Sequence, residues 1–463
     1  YAIKHMEYDS LDMMIKESFF TDQLVNVRNV FGYGSVVRSY DTRGNVLLEQ
    51  YLDVDGEAIA ARAGYAAIKR TYDDNDRILT VTYLDTMGQP TTAGKELGYA
   101  SVVYQYNNMG DLLEQRFLDE EGLLSPTNKG YSIVVREYNA FHQVQKEFYL
   151  DSNNNATKDI ETGVFSVKRQ YDVRGYLSEE SYYDSTGSLM TGLEGYARIT
   201  IINNSQGLAI YKAFFDENNQ PVSLSDGYYA IALEYDMYGN VSHEAYFDEK
   251  NQLLMSAQGY AQLSRTSNAL GNVLDEHYYN IDGQPVLSID GQAGIQNEYN
   301  ENNNLTAIIS LGLNNQPIMN GHGYTYCVFE YNSNEQWISK QFLDLSQNPV
   351  CNEYGYAGVN RLVNEQGWLL RETFVGLKGE RVTNENGFAV HLFTYDNNGH
   401  LLLETFYSDR NTLAVLPAGY TYIQYTYDDW GILLKVEPLD ISKNPVNVDL
   451  SQEAWWQKEQ QSR

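Results

Sequence analysis

Disulfide bonds can do little for this chain. It has two cysteines, Cys327 and Cys351, within 463 residues, so a disulfide framework is excluded and at most one bridge can form. No run of eighteen apolar residues occurs, so no helical membrane span is expected. Tryptophan is scarce, at 5 residues, and proline at 9. Basic residues are outnumbered, 32 Lys and Arg against 62 Asp and Glu, which gives a formal charge of -30. So acidic a surface repels nucleic acid and anionic membranes, and neither is expected as a partner. The seven histidines, His5, His142, His243, His277, His322, His391 and His400, share no repeat position. There is no HExxH pair, no GxSxG elbow and no phosphate loop. No copy of the pattern described below breaks its symmetry as an active site would, and the expectation is a protein that is not an enzyme.

What the chain has in abundance is tyrosine, with 40 residues, and a fixed period. "GYGSVVRSYDTRGNVLLEQYLDVDG" begins at Gly32 and is rewritten as "GYAAIKRTYDDNDRILTVTYLDTMG" from Gly64. Anchor glycines recur at Gly32, Gly64, Gly98, Gly130, Gly163, Gly195, Gly227, Gly259, Gly291, Gly323, Gly355, Gly387 and Gly419. The step is 32 residues, apart from one of 34 and one of 33. Tyr1 and Ala2 fit the same frame, which makes fourteen copies, the first and last incomplete. Below, positions are counted from the anchor Gly as zero.

Position 9 is Asp or Asn in every copy, as in Asp41, Asp73, Asn107 and Asp236, usually after a Tyr and often three residues before a Gly. An Asx side chain accepts a backbone hydrogen bond from two residues on, and Gly supplies the positive φ that closes a turn. The flanks alternate with period two: Ile231, Leu233 and Tyr235 lie between Ala230, Ala232 and Glu234. A second "DxxG" turn follows, often with "QPV". Its prolines, Pro90, Pro221, Pro285, Pro317, Pro349 and Pro445, cannot donate to a ladder and mark an end of pairing. Each copy is therefore a β-hairpin with an extended return, and one hairpin alone is marginal in water. Stacked copies make stability a sum of interface terms. Some 26 to 28 strands at about 4.8 Å would make a sheet on the order of 130 Å wide, which must curl. The expected fold class is all-β, tandem β-hairpin repeats forming a coiled sheet, either a superhelical β-solenoid or a spiral shell, over residues 1–446. Residues 447–463, with Trp455 and Trp456 in a polar setting, read as a C-terminal cap or linker with a short helix.

The "YDxxGN" motifs resemble the YD-repeat (RHS-type) proteins of bacterial surfaces and secreted toxins. The resemblance covers residues 1 to about 446. It implies hairpins wound into a spiral shell that sometimes encloses a toxin domain. The period of 32 is longer than the usual YD unit, and neither an RHS core signature nor a toxin segment is recognisable. A weaker similarity, at "YYDSTG", is to aromatic, Gly-rich cell-wall-binding repeats, which use more Trp than this chain has.

Position 19 is aromatic in most copies, and Tyr51, Tyr83, Tyr149, Tyr182, Tyr246 and Tyr278 form a candidate ligand-stacking ladder. Such a stripe can stack on sugar rings, with Glu49 or Glu147 bonding the hydroxyls, or it can serve as cross-strand pairing that holds the sheet together. No cofactor is expected. Calcium at Asx-rich turns is conceivable at "DSNNNATKD" from Asp151 and "DVDG" from Asp53, although the Gly and Glu of a complete loop are missing. The chain opens "YAIKHMEYDS", without a starting Met or a signal peptide, and reads as part of a longer protein with adjoining domains. Two functions are carried forward. One is an extracellular or cell-surface repeat scaffold for adhesion or ligand binding, with carbohydrate or a surface protein as partner. The other is a YD-type shell that encloses or presents a toxin or other cargo polypeptide.

Overall fold

The computed structural model describes residues 1–93, 97–397, 399–427 and 433–452. They contain fourteen antiparallel hairpins, whose strands are numbered β1 to β28 in chain order, from β1 (Ile3–Tyr8) and β2 (Met14–Phe20) to β27 (Tyr422–Tyr427) and β28 (Leu433–Leu439). This is the all-β, tandem-hairpin fold the period predicts. Two compact units divide the chain, one over Tyr1–Leu224 and one from Ser225 onward. In the first, β1 to β14 (Ala209–Phe215) follow one another across a sheet; in the second, β15 (Ala230–Tyr235) to β28 do so.

Within a copy the first strand has six residues and the second seven. In the Gly32 copy, β3 (Ser35–Tyr40) pairs with β4 (Val46–Leu52) from Ser35↔Leu52 to Ser39↔Leu48. The register then slips so that Tyr40 faces Val46, a β-bulge that recurs in hairpins of both units. Between copies the pairing is shorter, with three residue pairs joining β4 to β5 (Ala67–Tyr72).

Three turns shape the Gly32 copy, one more than the sequence motifs suggest, and all three have one geometry. In the first, Gly44 N–H donates to the Asp41 carbonyl at 3.2 Å while Asp41 Oδ1 accepts from Arg43 and Asn45 N–H at 2.8 and 2.9 Å. Asp53 does the same for Asp55 and Glu57. The third turn, at Asn29–Tyr33, ends one copy and begins the next, and the anchor Gly32 is its left-handed residue, at φ +92. That is why the period is most visible at glycine: a Cβ in this conformation is strained. The prolines of the return sit at isolated bridges to the strand end, as in Leu84↔Pro90 and Leu343↔Pro349. There the next residue donates inward (Thr91 N–H to the Tyr83 carbonyl, 3.0 Å), so the proline nitrogen is not called on.

The extra residues of the 34-residue step fall before Gly98, where Leu97 is helical. At the far end Val446, Val448 and Leu450 pack on the core of the second unit, and Leu450–Gln452 forms a 3-10 turn. Trp455 and Trp456 lie outside the described residues.

Candidate functional site

One face of each hairpin carries positions 4, 6, 8, 17 and 19, because alternate residues of a strand share a side and the register places 4 opposite 19 and 6 opposite 17. The aromatic stripe runs along this face, but position 19 is half of it. The residue that follows the anchor Gly, position 1, Tyr in most copies, supplies the other rungs. In the first unit the rings of Tyr33, Tyr51, Tyr65, Tyr83, Tyr99, Phe117, Tyr131 and Tyr149 follow one another with centroid separations between 4.6 and 6.1 Å. Val164 and Gln292, where position 1 lacks its aromatic ring, interrupt the stripe.

The six candidate stacking residues are thereby placed inside the sheet's packing. Tyr51, Tyr149, Tyr182, Tyr246 and Tyr278 are buried and Tyr83 is half-buried. Neighbouring aromatic rings flank Tyr51, Tyr83, Tyr149, Tyr182, Tyr246 and Tyr278, where a sugar would have to lie. The ladder does not present the open platform that sugar stacking requires. Burial, then the charge of Glu49, pushes the Tyr51 hydroxyl far above the ordinary phenol range, and burial carries Tyr182 up to about 12.

The glutamates at position 17 are likewise occupied. Arg38 Nε meets Glu49 Oε2 at 2.7 Å, and Tyr51 donates its hydroxyl to Glu49 Oε1 at 2.8 Å. Arg136–Glu147–Tyr149 and Arg169–Glu180–Tyr182 repeat this trio, and Arg361–Glu372 and Arg265–Glu276 repeat the ion pair. Burial would raise the Glu49 carboxyl, but the hydrogen bonds from Arg38 and Tyr51 outweigh it and hold it below the usual range.

The Tyr of the "YD" motif has a role that sequence reasoning missed. Its hydroxyl donates to the carbonyl of position 14 in the preceding copy, the residue the bulge shifts in register. Tyr40 bonds Met14 at 2.6 Å, Tyr72 bonds Val46 at 3.0 Å, Tyr138 bonds Leu112 at 2.9 Å and Tyr427 bonds Leu401 at 2.9 Å. Asn203, which stands in for Tyr, makes the same bond to Leu177 at 2.7 Å. No local pattern announces this, since donor and acceptor are 26 residues apart.

Asp151, the start of the partial calcium loop, accepts from Asn153 and Asn155 N–H at 2.8 Å each, so its Oδ1 serves its own turn. Asp53 is used in the same way. Among the described residues no group of three or more His, Cys, Asp or Glu converges as a metal site would need. Cys327 and Cys351 are free thiols, and burial pushes Cys327 up to about 11.

Two grooves open beside the hairpin tips, and they occupy the same place in the repeat. One, of about 570 Å³, lies between Asp9, Met13 and Ile15 of one copy and Arg38, Tyr40 and Asp41 of the next. The other, of about 510 Å³, lies between Asn364, Trp368 and Leu370 and Tyr395, Asp396 and Asn397, with the Trp368 and Tyr395 rings 5.5 Å apart.

The repeat also has a departure that the sequence pattern hid. In the Gly387 copy position 4, aliphatic in most others, is His391, and position 6 is Phe393. His391 Nε2 lies 2.7 Å from Glu404 Oε2, and Tyr425 of the following copy donates to Glu404 Oε1. His391 is 2% exposed and Glu404 0%. The symmetry of the array is therefore broken here, against the expectation. Aligning the copies by column would have shown it, as a histidine among Val, Ile and Leu.

No family model matches the chain, and no curated protein matches it. Among solved structures it is similar to TcdB2-TccC3-Cdc42, at 13% identity and a TM-score of 0.38, over 96% of this chain and 29% of that one. A Photorhabdus luminescens Tc holotoxin pore is matched at 13% identity and a TM-score of 0.36, over 96% and 25%. A porin-like protein from Bacteroides uniformis is matched at 12% identity and a TM-score of 0.19, over 66% and 92%. The chain spans less than a third of the length of the first two.

Proposed function

We propose that this chain is a non-catalytic repeat scaffold, acting at or outside a cell surface, whose sheet carries or encloses another polypeptide. One observation carries the reading: the side chains that recur from copy to copy are engaged in joining strands and copies. Position 8 holds the preceding copy, positions 1 and 19 stack on one another, and in five copies Arg at position 6 pairs with Glu at position 17. What such chemistry produces is an extended, ordered surface. Limited proteolysis of the full-length gene product tests this. Segments joined to the array should outlast the same segments separated from it, and equal survival would overturn the reading.

A second reading, ligand binding for adhesion, is favoured by one groove. Trp368 and Tyr395 line it together with Asn364, Asp396 and Asn397, an aromatic surface flanked by hydrogen-bonding groups of the kind that suits a saccharide. Glycan-array binding that disappears with Trp368→Ala would support it. Binding that persists would send the search elsewhere.

A further inference from the structure

Glu404 and His391 are an ionisable pair sealed among aromatic rings. The imidazole centroid lies 4.0 Å from Phe393, 4.5 Å from Phe406 and 5.6 Å from Phe388. On β25 (Val390–Tyr395) Phe393 is the register partner of Glu404 on β26 (Leu401–Tyr407), the seat that Arg38 holds opposite Glu49. Among the described residues, ionisable groups reach the pair from both neighbouring strands. On β27, Tyr425 donates to Glu404. On β24 (Leu369–Val375), Glu372 is the register partner of His391 and is itself held by Arg361 at 2.9 Å.

We propose that the Gly387 hairpin, to which the Gly419 copy is tied through Tyr425, is a proton-sensitive joint, tightest in mildly acidic solution and loosened as the pH rises past neutrality. A buried pair of this kind is costly unless its net charge is zero. Zero charge means one proton shared by imidazole and carboxylate, on whichever atom it rests. Once the strands open into water, Glu titrates near 4.3 and His near 6.5, so between those values the open form also holds one proton. Above about 6.5 the open form releases a proton that the closed form keeps, and opening gains up to tenfold per pH unit. Below about 4.3 the open form takes up a second proton that the closed form excludes, and the joint loosens again. At Arg38–Glu49 the guanidinium stays charged throughout, so open and closed forms hold equal numbers of protons above about pH 6.

Hydrogen exchange of the whole protein between pH 5.5 and 8.5, corrected for intrinsic rates, reads this directly. Protection in β25, β26 and β27 should fall toward tenfold per pH unit above about 6.5, while β3 and β4 stay level. The double variant His391→Val, Glu404→Gln restores the aliphatic residue found elsewhere at position 4 and keeps an acceptor for Tyr425, and it should remove the slope. Equal slopes in the two hairpins, or a slope that survives in the double variant, would overturn the proposal. So would an ordinary titration of His391 near 6.5 by NMR in the unmodified protein, a measurement that does not depend on how the variant folds.

Discussion

The Gly32 and Gly387 copies fill one template in opposite ways. In the first, Arg38 and Glu49 form an ion pair whose side chains keep 17% and 18% of their exposure. In the second, the corresponding stretch is closed by Phe388, Phe393 and Phe406, and the one carboxylate left, Glu404, is fully buried beside a histidine. The second unit accordingly holds a continuous cluster from Cys327 to Leu450, whereas the first holds smaller ones. The backbone register is the same in both copies. What differs is how much water each junction admits, and with it the energetic weight of each side chain.

The sharpest way to break this contrast is at the carboxylates. Glu404→Ala leaves His391 and Tyr425 facing a buried gap and should cost roughly 3–5 kcal/mol. Glu49→Ala, at a carboxylate that keeps some contact with water, should cost about 1–2 kcal/mol. Denaturant unfolding followed by hydrogen exchange in the two hairpins compares them, and similar losses would erase the distinction. Next come the rings: Phe406→Ala, at a fully buried rung, should lose about 3–5 kcal/mol, and half-buried Tyr83→Ala measurably less. Tyr40→Phe and Tyr427→Phe each delete one hydroxyl-to-carbonyl bond between copies. Both should lose about 0.5–1.5 kcal/mol, with no difference between the two regions, because this clamp is common to both.

Smaller effects sharpen the picture through chemistry. The Asp53, Asp216 and Asp440 carboxyls are held below the usual range first by backbone N–H groups of their own turns. A folded-state value below the unfolded one means stability present above about pH 4 and lost as pH falls through the folded value. The thermal midpoint should therefore drop between pH 4 and 2.5, and less so in Asp53→Asn. Smallest of all, alkylation at pH 8 should label half-exposed Cys351 well before Cys327, whose burial keeps its thiol protonated.

Much of the fold could be read before any coordinates, because the turns are local. An Asx oxygen reaching two and four residues ahead, and a glycine at positive φ, leave their marks within five residues of sequence. The alternation on each side of such a turn then specifies hairpin and face. The candidate site was less legible. Tyr51 and its equivalents were found as a stripe, but whether the stripe is open or covered depends on Tyr33, Tyr65 and the return segment, none of which a period can weigh. The Tyr40 clamp joins atoms 26 residues apart, at a carbonyl that lies where the register shifts. His391 was visible as one histidine among seven, and its burial was not.

By itself, then, the order of residues determined repeat length, hairpin, turn type and the number of copies, since each depends on interactions within one copy. Tertiary structure decided which faces are covered, which carboxylates are paired and where the regular pattern fails. Those outcomes depend on how closely neighbouring copies exclude water, and desolvation is a property of the assembled sheet rather than of any segment within it.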